Sequence, residues 1–253
     1  MNAAHPKVRS APAIVPDASW RDLYRIGGWC GILIVVPYLA AMVAVAMTPP
    51  PAEAGAAETL EHVAAHKWLY GIEQVLWIAP GVLAMVVFLA LTAAMWRVDK
   101  AAAAIAGTIG TTAWALTLAL PTSGGGSLLL LDLADRYQAA GSDAQRDAYV
   151  TLAQQLIAEN DMPGFVGVLT TVGILLISLV MTKGGVPRWV AWLGVATGAI
   201  GIVSEALRPL LGAGYAVYGT LLLAWFLAVG VTLRRLAGPG GRPTPDDVAR
   251  PAL

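Results

Sequence analysis

Two acidic residues, Glu73 and Glu205, lie inside long apolar runs of this chain. Ionisable groups within membrane spans are rare, face the bundle interior and by default mark a function. Glu73 sits in KWLYGIEQVLWIAPG (67–81), where helical spacing puts Tyr70, Glu73, Trp77 and Pro80 on one face. Glu205 has Arg208 one turn later, the spacing of an intrahelical ion pair. Trp114, Tyr215 and Tyr218 come from other apolar runs and are placed to face the same cavity, while His66 and Asp132, from outer loops, complete the candidate ligand contacts. A proton-donating acid among aromatic faces suits acid-initiated isomerisation or cyclisation of a lipophilic substrate, because π faces stabilise a carbocation-like intermediate. In that reading Glu73 and Glu205 are catalytic: Glu73 donates the proton, and Glu205, oriented by Arg208, stabilises charge. The same pattern suits plain binding of an amine or sterol-like ligand. It also suits a non-catalytic transporter or accessory subunit in which the acids only join helices.

The elements that must position these residues are set by composition. Of 253 residues, 57% are hydrophobic and 13% charged, and the mean hydropathy of +0.67 belongs to a multi-spanning membrane protein. Lys plus Arg and Asp plus Glu are equal at 16 each, so no global field points to nucleic acid. The single cysteine, Cys30, excludes an intrachain disulfide and any multi-cysteine metal site. The sequence carries no GxxxxGK[ST] loop, no HExxH and no GxSxG, so nucleotide hydrolysis, zincin and hydrolase chemistry have no support. No cofactor is expected.

The fold expected is all-α and polytopic, with six transmembrane helices near 26–48, 67–96, 101–121, 163–182, 187–207 and 214–235, each meeting the roughly 20 apolar residues a bilayer requires. Cytoplasmic tails are expected at 1–25 and 237–253, the second disordered, around a membrane domain at 26–236. All the Lys and Arg residues except Lys67, Arg136, Arg146 and Arg208 fall on one side. Both termini are therefore expected in the cytoplasm, with the chain in a bacterial inner membrane among lipid. At a rise of 1.5 Å per residue, Glu73 sits on the order of 8 Å beyond Trp68 and Glu205 roughly 24 Å beyond Trp189, so both acids fall in the outer third at about one depth.

One or two short amphipathic helices are expected in the outer loops. Ser142 and Gln145 fit a capping box, and Asp132 and Arg136 are spaced for an ion pair. Pro37 and Pro80 are expected to kink spans one and two, and TSGGGS (122–127) reads as a bend. His62 and His66 are four apart, as paired metal ligands are. Glu73 is on the order of 10 Å from His66 along a helix, however, so no metal site is expected.

The segment KGGVPRWVAWLGVATGAIGIVSEAL (183–207), the opening RIGGWCGILIVVPY and the acid early in span two resemble the DUF4386 family of bacterial membrane proteins. The resemblance runs over about residues 20–236 and implies a six-span fold without an assigned activity. The chain differs from the family pattern in carrying Glu205 where Asp is expected and in a longer outer loop at 122–160.

Overall fold

A computed structural model of the protein describes residues 17–49, 55–120, 122–123, 126–161 and 164–238. The expectations for most of both tails, at 1–16 and 239–253, fall outside the described residues. Among the described residues six helical stretches are long and apolar enough to cross a membrane: Arg21–Met47, Lys67–Met95, Lys100–Ala119, Phe165–Thr182, Arg188–Ala206 and Tyr215–Leu236. The molecule is a multi-pass, all-α membrane protein.

Two of the six spans are broken. Span one is α1 (Arg21–Leu33) followed by α2 (Val35–Met47), and span two is α4 (Lys67–Ile78) followed by α5 (Pro80–Met95). Proline is the cause in both. Pro37 cannot donate to the Leu33 carbonyl nor Pro80 to that of Leu76, and each ring crowds the carbonyl it fails to bond. The junction residues Ile34 and Ala79 keep right-handed helical dihedrals, so each break is a kink and the chain keeps its course. The other spans, α6 (Lys100–Ala119), α9 (Phe165–Thr182), α10 (Arg188–Ala206) and α12 (Tyr215–Leu236), run unbroken.

The spans form a closed ring in chain order. α1 packs on α5, α5 on α6, α6 on α9, α9 on α10 and α10 on α12, and α12 returns to α1. Inside it Trp225 stacks with Phe88 (ring centroids 6.0 Å) and Phe226 (5.0 Å), all three fully buried. Lipid tails are as apolar as these side chains, so close packing and not escape from water holds the ring together. Ile26, Val36, Met42, Val82, Leu89 and Ile105 are exposed on its outside, the surface that meets lipid.

A helical cap covers one end. α3 (Ala56–Ala65), α7 (Leu129–Gln138) and α8 (Asp143–Asp161) pack on one another around Leu60, Val63, Leu130, Ala134 and Ala153, a core separate from that of the ring. The Ser142 hydroxyl caps α8 through the Gln145 N–H (3.4 Å), while the Gln145 side chain reaches back to the Gly141 N–H (2.9 Å), one residue earlier than a capping box requires. Within TSGGGS, expected as a bend, β1 (Thr122–Ser123) and β2 (Gly126–Ser127) pair as short antiparallel strands. At the opposite end Asp99 caps α6 by accepting from the Ala102 N–H (3.0 Å) and pairs with Lys183 (2.7 Å), linking two inter-span turns. The Lys183 ammonium, with the Ala102 N–H, holds the Asp99 carboxyl below the ordinary carboxylate range.

Candidate functional site

Glu73 is buried on α4. One helical turn on, the Trp77 indole N–H donates to its Oε1 at 3.2 Å, and the Gln74 amide N–H approaches the same oxygen at 3.4 Å. No hydrogen bond reaches Oε2 among the described residues. Tyr70, one turn earlier, is committed elsewhere. Its hydroxyl accepts from the Ser127 N–H (3.0 Å) and donates to the Ser127 carbonyl (3.1 Å), fastening the hairpin to span two. Gly126 makes this reach feasible: its φ of +156° is strained for a side chain, and a Cβ there would collide with the Tyr70 hydroxyl.

Glu205 has a fuller set of partners. The Arg208 guanidinium donates to Oε2 at 2.5 Å and the Tyr215 hydroxyl to Oε1 at 2.5 Å, and Arg208 also lies 5.3 Å from the Tyr215 ring centroid. Local chain geometry makes the triad. α10 stops at Ala206, and the short helix α11 (Arg208–Leu211) turns the chain so that α12 begins with Tyr215 opposite Glu205. The carboxyl rests against Gly167 of α9, where a Cβ would overlap it. Arg208 keeps a buried Nε–H without a partner among the described residues.

No hydrogen bond joins the two carboxyls among the described residues, since their partners are separate. An aromatic pair adjoins each carboxyl: Trp77 packs on Tyr38 of α2 (5.7 Å) beside Glu73, and Tyr218 meets Tyr215 edge-on (5.6 Å) beside Glu205. The Thr170 hydroxyl of α9 faces Tyr218. Sequence spacing brings out Tyr70, Glu73 and Trp77 on one helix face, and Glu205 with Arg208. It misses Tyr38, Gln74, Gly167 and Thr170. Tyr38 alone carries a signal, as an aromatic residue directly after the kink proline of span one.

Three other candidates sit apart from the acids. Trp114 packs edge-on against Phe226 (5.7 Å) in the ring core, its indole N–H buried without a partner among the described residues. His66 is exposed, its ring 4.6 Å from that of His62 and its Nδ1 3.0 Å from the His62 carbonyl. Asp132 is an exposed partner of Arg136 (2.8 Å) on the cap. Among the described residues no group of three or more His, Cys, Asp and Glu is placed to hold a metal ion.

The family model described as Domain of unknown function (DUF4386) matches residues 29–233. The chain belongs to the DUF4386 family. The DUF4386 match takes in both buried acids, the aromatic pairs beside them and the whole cap. No curated protein and no solved structure matches the chain.

Proposed function

We propose that this DUF4386 protein binds a small lipophilic molecule bearing a hydrogen-bonding head, anchored by Glu73 at the capped end of the bundle. The observation that carries this reading is one-sided bonding. Both N–H donors near Glu73 converge on Oε1, and Oε2 has none among the described residues. An intramembrane carboxyl oxygen left open in this way is costly unless something else uses it. The rings of Trp77 and Tyr38 beside it supply apolar and π surface for the rest of a ligand. The reaction such a site would run is acid-initiated isomerisation or cyclisation, with Glu73 giving its proton to the substrate and the aromatic faces stabilising the cation. Under the orientation read from the basic residues, the site opens toward the outer leaflet of a bacterial inner membrane.

A second reading, in which the acids only join helices, is favoured at Glu205 by its completed set of partners. The two positions are therefore expected to behave differently. In detergent extracts, Glu205→Gln should lower the melting temperature. Glu73→Gln should leave it within a few degrees but remove the lipophilic compounds found by mass spectrometry of the purified wild type. Retention of the same compounds by Glu73→Gln, or a fall in melting temperature equal to that of Glu205→Gln, would overturn the assignment.

A further inference from the structure

α4 carries a second stripe, one step around the helix from Glu73. Gly71, Ile72, Val75 and Leu76 line one wall of a groove of about 410 Å³, and Leu128 and Leu131, at the start of the cap helix α7, line the other. Lys67 and Trp68 stand at its end, where the span begins. Neither buried acid contributes to this groove.

We infer that the groove holds one acyl chain of an outer-leaflet phospholipid whose phosphate is met by Lys67. Several observations bear on the occupant. Ile72 and Val75 are half exposed on a helix that crosses the membrane, so the groove is continuous with the lipid-facing surface. At that depth hydrocarbon is the solvent, and an apolar-lined space has no polar partners for water. The far end is marked for headgroups. Trp68 is 85% exposed at the first turn of the span, as interfacial aromatic residues are. The Lys67 ammonium has three N–H donors and Asp135 of α7 takes one of them, leaving others for a phosphate oxygen.

The shape separates this site from ordinary lipid contact. Gly71 forms a floor on which an added Cβ would meet only Leu131 Cδ1, at 3.5 Å, and the α7 leucines overhang from the cap. A chain lying there touches protein on two sides, whereas one beside Leu89 of α5 touches a convex helix face. Because the walls belong to α4 and α7, a bound lipid ties the cap to span two. The inference stands independently of the role of Glu73.

The test is photo-crosslinking of the full-length protein in phosphatidylcholine vesicles containing a minority of phosphatidylglycerol. One lipid at a time carries a diazirine in its acyl chain, and adducts are mapped by mass spectrometry. Adducts are expected to concentrate on Gly71, Ile72, Val75, Leu76, Leu128 and Leu131, several-fold above those at Val82 and Leu89. Gly71→Trp should abolish them and spare those at Leu89. Lys67→Gln should reduce labelling by phosphatidylglycerol more than by phosphatidylcholine. Ile72→Trp fills the groove from a position already half open and serves if Gly71→Trp fails to fold. Equal labelling of the groove and of Leu89, or adducts unchanged by either filling substitution, would overturn the site. Absence of lipid adducts from the groove, with those at Leu89 present, would likewise overturn it.

Discussion

Carboxyl oxygens taken out of water call for donors, and Glu205 and Glu73 differ in how many they have among the described residues. Each Glu205 oxygen holds a donor at 2.5 Å, and the group fits only because Gly167 leaves it room. Gly167→Ala is therefore expected to destabilise the protein by about 1–3 kcal/mol, the usual cost of overpacking a tight site. In a Glu205→Ala background the same substitution should cost much less, since the colliding group is gone. A double-mutant cycle on melting temperatures reads the difference, and equal costs in both backgrounds would refute the contact. The Arg208 partnership is legible in the sequence from three-residue spacing, although α10 ends between the two residues and Arg208 opens α11. The Tyr215 partnership is not, because it depends on how the turn through α11 aims the start of α12.

Among the elements, the hairpin shows how a local reading is changed by a distant side chain. A glycine-rich TSGGGS segment reads from its composition as a bend, since so short a run carries no strand pattern of its own. Tyr70 supplies partners from span two, bonding both the N–H and the carbonyl of Ser127. Tyr70→Phe removes both of these bonds, and a cost of about 1–3 kcal/mol is expected at roughly 0.5–1.5 kcal/mol per bond. Limited proteolysis should then cut faster near residues 122–127, and an unchanged cutting rate would show that the latch carries no strain. The kinks are legible because proline acts through its own backbone, and both appear where Pro37 and Pro80 direct them. Span boundaries are legible to within a few residues, except that span one begins at Arg21, where polar residues at the membrane edge continue the helix.

For the molecule as a whole, the end opposite the cap is tied by Asp99 and Lys183. Because the folded Asp99 carboxyl is held below its ordinary value, its contribution is present above the ordinary carboxylate pKa of about 3.9 and is lost as pH falls through the depressed folded value. The melting temperature of wild type should exceed that of Asp99→Asn near neutral pH, and the gap should close under acid. A gap that persists would assign the effect of Asp99 to something other than its charge. Orientation is testable because Cys30 is the only native cysteine. In a Cys30→Ala background, Gln145→Cys on the cap should react with a membrane-impermeant maleimide on intact cells, and Asp22→Cys only after lysis. The reverse pattern would place the cap on the cytoplasmic side and Glu73 in the inner half of the membrane.

Sequence alone determined the six spans, the two kinks and the acid beside an arginine. In lipid every backbone hydrogen bond must close within its own helix, so span length and break points are written locally. Tertiary structure decided that the ring closes through α12 on α1, that an aromatic pair adjoins each acid, and that Tyr70 fastens the hairpin while Glu73 Oε2 has no donor among the described residues. These are contacts between residues far apart in the chain, and their geometry follows from how helix surfaces fit together, which no local pattern of residue types encodes.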